Sequence, residues 1–402
     1  MNEQIIPSFH QLNHTLSDEI YLNTGTCAPS INFVTESIIE TYKKQEKLQL
    51  YPWIEAEQAF DSVRQRLADL LDVHHDQIVV TENTTQGLNM FLHGLHWRTD
   101  DEIITTNGEH VSSLAPCFSI AQRYGVKVRI IDILNKTDDE IVDEISHVVN
   151  DKTKLLLVSH ITWNTGRVLP IEKLCALARA ANVYSLIDGA QAVGQMNVNP
   201  VQIGCDVYAF PGHKWLLGPL GTGSLYMRGE IIQAISPINP GYYSIEGFKW
   251  DGTLKWKQSG QKFESSTRNV APFVGLARSI VFIQEIGIHN IEKRIHILSE
   301  QLRTNLELLQ GVKVNDMNSQ IVHGLISCTI DKIDYHDLVE FLAKKNIFTR
   351  SITRPKGLRI SVHAFNTEEE LTTFISVLEK GIRKLRKHPF VQLNTDSYLL
   401  HE

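Results

Sequence analysis

The alternation of strands and helices between about residues 60 and 230 constrains the fold more than any other feature of this sequence. Short apolar segments rich in β-branched residues alternate there with helical patterns. The predicted strands are QIVVT (77–81), EIITT (102–106), VKVRIIDI (126–133), KLLLVSHI (154–161), VYSLID (183–188) and CDVYAF (205–210), with GSLYM (223–227) as an edge partner. Apolar strands separated by helices predict an α/β fold with a mostly parallel sheet covered on both faces.

The pattern changes after about residue 270. Two long helical patterns are followed by shorter strands and helices, and the last helix has the spacing of a capping box at Thr367 and Glu370. This part, roughly a third of the chain, is typical of a smaller α+β unit. We therefore expect a boundary between a large domain and a small C-terminal domain near residues 270–280.

Composition narrows the class of protein. The chain has 402 residues, a net charge of −7 and a pI near 6.2, which argue against a nucleic-acid-binding or anionic-membrane surface. No apolar run approaches the ~20 residues of a membrane helix, and the polar start lacks the core of a signal peptide. The five cysteines are widely spaced and form no CxxC, which indicates reduced thiols in a cytoplasmic protein rather than disulfides or a metal site.

Polar residues follow most of the predicted strands. Thr84 and Thr85 open a helix after the first strand, where hydroxyls and free N–H groups could hold a phosphate, although an N-cap without a ligand fits equally well. His110, Asn164 and Asp188 follow or end later strands. Parallel strands bring such residues to one edge of the sheet, where ligands bind in folds of this kind.

Lys214 is placed unusually, between the breakers Pro211 and Gly212 and the apolar Trp215. Burial there would penalise an ammonium group, and a covalent bond to a cofactor would remove the penalty. A phosphate cradle, an imidazole, an amide, a carboxylate and a lysine together match the needs of pyridoxal 5′-phosphate (PLP). The carboxylate, Asp188, would pair with the protonated ring nitrogen of that cofactor.

The segments SLIDGAQAVGQ and CDVYAFPGHKWLLGPLGTGSLY resemble the class V aminotransferase family of fold type I PLP enzymes, which includes cysteine desulfurases and selenocysteine lyases. TENTTQG, GEH, SHITWNTGRVLPI, KFESSTRN and LRISVHAFNTEEE occur in the same order, and GHKWLLGP and SHITWNTG are most similar to the cystine/cysteine C–S lyase branch. The resemblance implies a seven-stranded large PLP-binding domain (21–275), a small domain (276–402) and an N-terminal segment (1–20) packed on the small domain.

The resemblance also implies roles for residues around the cofactor. Lys214 matches the lysine that bonds to the cofactor, and His110 matches the imidazole that stacks on its ring. Asn164 and Gln191 match groups near the ring hydroxyl.

Further matches concern the phosphate and the substrate. Thr84, Thr85 and His213 correspond to phosphate ligands, and Thr267 to a residue that reaches the phosphate from a neighbouring subunit. Arg359 corresponds to the arginine that binds the substrate carboxylate, a task suited to a planar guanidinium. Arg350 is a second candidate for that contact, and a solvated arginine fits it nearly as well. A homodimer with shared active sites follows from the same resemblance.

The choice of reaction depends on a missing cysteine. Desulfurases of the family use a cysteine on a mobile loop shortly before the carboxylate-binding arginine, but residues 329–358 contain none, and Cys328 falls within an apolar strand. The sequence therefore predicts a PLP-dependent C–S lyase. It would act by β-elimination on cystine, cysteine or a related amino acid, and release pyruvate, ammonia and a persulfide or sulfide.

Three alternatives remain open. The first is a cysteine desulfurase or selenocysteine lyase with an unrecognised acceptor thiol, and a sulfur acceptor protein is then a possible partner. The second is an epimerase or aminotransferase on the same scaffold. The third is a catalytically inactive regulator with a PLP-enzyme fold, which the joint presence of Lys214, Asp188, His110 and Arg359 argues against.

Overall fold

The computed structural model describes residues 6–47, 52–315 and 323–386. The strands are β1 (Ile20–Tyr21), β2 (Ile78–Thr81), β3 (Glu102–Thr106), β4 (Lys127–Ile131), β5 (Thr153–Ser159), β6 (Tyr184–Asp188), β7 (Val207–Pro211), β8 (Gly223–Met227), β9 (Ile245–Phe248), β10 (Leu254–Trp256), β11 (Val312–Val314), β12 (Leu325–Ile330), β13 (Ile347–Phe348), β14 (Arg350–Thr353) and β15 (Lys356–Ser361).

The helices are α1 (Phe9–Leu12), α2 (Asn32–Lys47), α3 (Pro52–Leu71), α4 (Thr84–Gly94), α5 (Val111–Tyr124), α6 (Asp138–Val148), α7 (Ile171–Ala180), α8 (Pro200–Ile203), α9 (Gly229–Ala234), α10 (Ala271–Ile286), α11 (Ile288–Glu307), α12 (Tyr335–Ala343) and α13 (Glu368–Arg386). Short 3-10 turns cover His75–Gln77, Tyr242–Ser244 and Gly260–Phe263.

The large sheet has seven strands in the order β2-β8-β7-β6-β5-β3-β4. β8 runs antiparallel to both of its neighbours, and the other pairs are parallel, which confirms the predicted mostly parallel sheet. The prediction that residues 223–227 form an edge strand is wrong, because β8 lies between β2 and β7. Gly223 permits this position, since a Cβ there would lie 2.9 Å from both Asn83 Cα and Phe210 O.

Helices cover both faces of the large sheet, and each face has its own apolar core. One core includes Val80, Ile104, Val158, Ile187 and Phe210 from successive strands. The other is built by residues that alternate with them along the same strands, and it packs against α4 and α5. The carboxyl ends of β3, β5, β6 and β7 therefore meet at one edge of a rigid, buried sheet.

The small sheet is antiparallel, in the order β11-β12-β15-β14, and it packs against α11, α12 and α13. The predicted capping box forms at the start of α13, where the Glu370 carboxylate accepts from Thr367 N and the Thr367 hydroxyl accepts from Glu370 N. Helix α10 contributes to the core of the large sheet, whereas α11 contributes to that of the small sheet. We propose a division near residues 275–287, where the chain passes from one core to the other.

The N-terminal segment contacts residues of the C-terminal part of the chain. Phe9 N donates to Phe365 O at 2.9 Å, and β1 pairs in parallel with β13. We propose that this segment belongs with the small domain, as expected for residues 1–20, of which 6–20 lie in the described part.

Within the described ranges, no single helix is long and apolar enough to cross a membrane. The pair α10 and α11, bent by 78°, has the required length and composition only when the two helices are taken together.

A buried ionic cluster links the segment after the β9–β10 hairpin to strand β2. The Glu264 carboxylate accepts from Arg64 at 2.9 and 3.0 Å, from Arg268 at 2.6 Å and from Val80 N at 3.0 Å. Burial raises the pKa of Glu264, but the charges of Arg64 and Arg268 outweigh it, and the net pKa is lowered. The cluster therefore fixes the loop that carries Thr267 against the strand that leads to Thr84.

We predict that Glu264→Gln lowers the free energy of unfolding by about 3–5 kcal/mol, because it removes the buried carboxylate shared by Arg64 and Arg268 and leaves the buried Arg64 guanidinium paired only with the exposed Asp61. Urea denaturation measures the change. Glu230→Gln is the matched control, because the Glu230 side chain is 77% exposed and its ion pair with Arg228 is long, at 3.6 Å. It should leave the free energy of unfolding within about 0.5 kcal/mol of wild type. Equal stability of the two variants would contradict a stabilising role for the cluster.

Candidate active site

A cavity of about 260 Å³ lies at the sheet edge where β3, β5, β6 and β7 end. This volume is several times the ~30 Å³ that one water molecule occupies in the liquid, so the cavity can hold an organic molecule. The residues that line it are Gly25, Thr26, Asn83, Thr84, Thr85, His110, Ser112, Ser159, Ile161, Trp163, Asp188, Ala190, Gln191, Pro211, His213, Lys214, Arg350 and Arg359.

The start of α4 forms one end of the cavity. Asn83 caps the helix through its side chain, which accepts from Gln86 N at 2.9 Å, and Thr84 and Thr85 follow in the first turn. N–H groups in a first turn have no partner within the helix. His213 lines the same cavity, and its Nδ1 is buried without a hydrogen-bond partner in the described residues. An anionic group bound here would satisfy both sets of donors.

Lys214 is presented by a tight turn after β7. Gly212 N donates to Thr222 O, and Leu217 N donates to Lys214 O, which closes the turn. The next residue, Trp215, is fully buried and its indole Nε1 donates to Gln191 Oε1 at 2.9 Å. The breakers Pro211 and Gly212 therefore lead into the turn, and the buried Trp215 anchors it.

The electrostatic environment makes the Lys214 ammonium easier to deprotonate than that of an exposed lysine. Burial lowers its pKa to about 8, Asp188 opposes that change, and Arg359 and Arg350 add to it. Part of the residue remains open to the cavity. A lysine of this kind is suited to covalent bonding and to proton transfer near neutral pH.

Asp188 ends β6 and is buried. Its Oδ2 accepts from Ser113 Oγ at 2.6 Å, and its Oδ1 accepts from Ala190 N at 2.9 Å. It forms no ion pair with any described residue. A buried carboxylate with this environment is suited to a protonated ring nitrogen in the cavity.

His110 caps helix α5, and its Nδ1 accepts from Ser112 N at 3.1 Å. Burial lowers its pKa to about 4, with smaller effects from Lys214, Arg350 and Arg359, so the ring is neutral at physiological pH. The Trp163 ring packs perpendicular to the His110 ring, with ring centres 5.1 Å apart and an angle of 88° between the ring planes. His110 therefore offers a flat, uncharged ring at the cavity wall.

Glu109, just before His110, is a buried residue that the sequence did not single out. It accepts from Thr106 Oγ1 at 2.7 Å and from Ser159 Oγ at 2.5 Å. Burial raises its pKa to about 7. Glu109 thus ties the ends of β3 and β5 together beside the cavity.

Arg359 is 1% exposed and has no carboxylate partner in the described residues. Its Nη1 donates to Trp163 O at 3.0 Å and its Nη2 to Thr26 Oγ1 at 2.5 Å, while its Nε is buried and unpaired. Burial, followed by the charge of Arg350, lowers its pKa to about 9. Arg350 also lines the cavity and donates to Thr26 Oγ1 at 3.2 Å. The two guanidinium groups fit a carboxylate ligand.

Asn164 differs from its predicted position. It lies outside the cavity: its Nδ2 donates to Arg354 O at 2.6 Å and its Oδ1 accepts from Thr165 N at 2.8 Å. Trp163 occupies the cavity wall instead. Trp163 and Asn164 are consecutive residues of a turn, and their side chains point in different directions, so a shift of one residue exchanges them at the cavity wall. The role of Asn164 near a ring hydroxyl stays a prediction.

Gln191 lines the cavity as expected, but its amide is also engaged in holding the fold. Its Nε2 donates to Gly25 O at 2.9 Å, and its Oε1 accepts from Trp215 Nε1. Thr267 is exposed and does not line the cavity within this chain.

Sequence reasoning missed several cavity residues. Ser159 carried a usable signal, because it ends β5 and pairs in register with Asp188. Gly25 and Thr26 carried none, since they belong to a loop after β1 that reaches the cavity only in the folded chain.

The donor set fits PLP. The unpaired His213 Nδ1 and the first turn of α4 suit its phosphate, and Asp188 suits its ring nitrogen. Lys214 is the amine placed to bond with it, and His110 is the ring placed to stack on it. These assignments of single residues remain proposals.

The fold and the cavity define a PLP-dependent α/β enzyme, and comparison with known proteins identifies the family. The family model described as Aminotransferase class-V matches residues 20–374. The chain therefore belongs to the class V aminotransferase family and is a PLP enzyme.

Individual relatives narrow the likeness further. Two structures of C-DES superpose with TM-scores of 0.88 and 0.86 at 30% identity, covering 93% and 91% of this chain and 99% and 98% of theirs. The first is a mutant with glycine covalently linked to the PLP cofactor, and the second is the cystine C–S lyase in complex with its product cysteine persulfide. A probable cysteine desulfurase from Methanothermobacter thermautotrophicus is 30% identical over 387 residues, 91% of this chain and 95% of the relative.

We predict that Lys214→Met stabilises the protein prepared without cofactor. Burial lowers the pKa of Lys214 from 10.5 to about 8, so below pH 8 the folded state carries a destabilising charge. The variant should gain about 1–3 kcal/mol at pH 7, and the gain should shrink as pH rises toward 10.5.

Urea denaturation at pH 7 and pH 10 measures the difference. Lys43→Met is the control, because Lys43 is exposed on α2, and it should show no such pH dependence. A gain from Lys214→Met that is the same at both pH values would show that the charge of Lys214 is not the cause.

Proposed function

We propose that this enzyme is a C–S lyase that cleaves cystine or a related β-thio amino acid by β-elimination. The reaction converts cystine and water into pyruvate, ammonia and cysteine persulfide. With cysteine, the sulfur product is sulfide. The likeness to C-DES, described as a cystine C–S lyase, supports this proposal.

The position of the thiols carries the choice of reaction. Cys117, Cys175, Cys205 and Cys328 are buried, and burial raises the pKa of Cys328 to about 12. In the hairpin β14–β15, a two-residue turn joins the strands and no cysteine is present. No thiol lines the cavity in the described parts of the chain. A direct attack on substrate sulfur thus lacks a positioned nucleophile.

The residues of the cavity supply the steps of an elimination. When bound, PLP withdraws electrons from the substrate Cα. Arg359 and Arg350 bind the substrate carboxylate, which orients the Cα–H bond toward Lys214. The Lys214 amine, with a pKa near 8, takes the Cα proton. Asp188 holds a proton on the ring nitrogen, and the neutral His110 covers the ring and excludes water.

A desulfurase is the second candidate, and Cys27 is the observation that favours it. This half-buried thiol follows the cavity residue Thr26 and lies close enough to Lys214 for their charges to interact. Burial raises its pKa, although the Lys214 charge opposes that rise, and its Sγ donates to Ala28 O at 3.5 Å. A protonated thiol in that bond is a poor nucleophile.

Product analysis tests the choice. With cystine or cysteine, we expect pyruvate and ammonia as the carbon and nitrogen products, unchanged in Cys27→Ser and in a variant without any of the five cysteines. The elimination uses no thiol of the protein. Lys214→Ala should form neither product, because the proton-accepting amine is lost.

If the cysteine-free protein fails to fold, the single Cys27→Ser variant still distinguishes the two reactions, because Cys27 is the one partly exposed thiol among the five cysteines. Alanine as the main product, with its formation lost in Cys27→Ser, would reject the lyase and support the desulfurase.

We also propose a cytoplasmic homodimer in which Thr267 of one subunit reaches the phosphate site of the other. Thr267 is exposed, and its loop is held by the buried Glu264 cluster, so it is both accessible and rigidly supported. Tyr242, Phe248 and Trp250, which precede this loop in the chain, are exposed aromatic residues of the kind that interfaces bury. A sulfur acceptor protein is a possible further partner.

Mixing two inactive variants tests the shared site. After subunit exchange between Lys214→Ala and Thr267→Glu, we expect about a quarter of wild-type activity, because half of the dimers are hybrids with one intact site each. Exchange is verified with differently tagged subunits.

Thr372→Glu is the matched control, since Thr372 is exposed on α13, and it should be active without mixing. Verified hybrids without activity would contradict a site shared through Thr267.

A further inference from the structure

Both cavity arginines lie on one hairpin of the small sheet. Arg350 begins β14 and is the register partner of Arg359 on β15. β15 is held by β12 on its other side, but β14 is the edge strand. The two like charges lie close enough for Arg350 to lower the pKa of Arg359 in addition to burial. The small sheet therefore supports the hairpin only along β15, and β14 needs support from another part of the fold.

The loop after β5 of the large sheet touches this hairpin along its length. Arg359 Nη1 donates to Trp163 O at 3.0 Å, and the Arg350 guanidinium lies 6.0 Å from the centre of the Trp163 ring. The next residue, Asn164, reaches the turn between the strands, where its Nδ2 donates to Arg354 O at 2.6 Å. Asn164 is 3% exposed, so water competes little for this bond.

We propose that Asn164 is a positioning residue that fixes the arginine hairpin over the cavity and so sets the affinity for the substrate carboxylate. This inference rests on the proposed carboxylate-binding role of Arg359 and Arg350. The Asn164 amide pins the turn of the hairpin to the large sheet, whose edge holds Lys214 and Asp188. The carboxylate site and the site of proton transfer are then kept in a fixed position relative to each other.

The geometry explains why an amide serves here. The Oδ1 atom accepts from Thr165 N at 2.8 Å, which leaves the Nδ2 donor directed at the Arg354 carbonyl. A carboxylate at position 164 could still accept from Thr165 N. It could not donate to the Arg354 carbonyl, because both groups are acceptors. Asn164→Asp therefore removes the contact with the hairpin and retains the contact within the loop.

The test compares Asn164→Asp and Asn164→Ala with wild type as holoenzymes. With cystine as substrate, we expect KM to rise about three- to tenfold, the size of one lost hydrogen bond, while kcat changes less than about twofold. Amide hydrogen exchange of residues 350–361 should quicken in both variants, and that of β5 and β6 should not.

Arg354→Ala is the matched control, because it changes an exposed side chain at the same turn and keeps the carbonyl that Asn164 contacts. It should match wild type in KM and in exchange. A fall in kcat with KM unchanged, or wild-type exchange of the hairpin in both Asn164 variants, would overturn the proposal. If wild type itself does not cleave cystine, the proposed function fails, and the hydrogen exchange alone decides whether Asn164 supports the hairpin.

Discussion

The burial of charged groups at one edge of the large sheet governs the rest of the active site. Asp188 is the buried last residue of a parallel strand, where a carboxylate without a cationic partner is costly. Ser113 Oγ and Ala190 N stabilise it, and the Lys214 charge interacts with it across the cavity. Tight turns and the buried Trp215 and Trp163 hold Lys214 and His110 in place, and a ligand bound in the cavity would offset the cost of burying these charges.

The charges facing the cavity are unbalanced, and this imbalance defines the ligands. Lys214, Arg350 and Arg359 are cationic groups, whereas Asp188 is the carboxylate that lines the cavity in the described residues. Glu109 stands behind the wall with a pKa raised by burial to about 7. A phosphate-bearing cofactor and a substrate carboxylate together neutralise the excess positive charge, which agrees with the membership of the chain in a PLP enzyme family.

Reaction choice within this family depends on what surrounds a common cofactor. Here the arginines lie on a hairpin with a two-residue turn and no cysteine, and the Asn164 amide holds that turn against the large sheet. A short hairpin held in this way is suited to binding the substrate carboxylate and is not suited to carrying a mobile thiol to the substrate sulfur. The proposed elimination and the proposed role of Asn164 thus follow from the same compact structure.

The sequence by itself determined the strands of the large sheet, the turn at Lys214 and the residues at the strand ends, because these depend on local patterns of period two and on breakers. The positions at strand ends also led to Asp188, His110 and Thr84, and the family resemblance led to Arg359; all four line the cavity that the structure contains.

Only the tertiary structure decided the interior position of β8, the entry of Thr26 into the cavity, and the exchange of Asn164 for Trp163 at its wall. These features depend on contacts between distant segments and on the direction of single side chains in a loop. No local periodicity encodes such contacts.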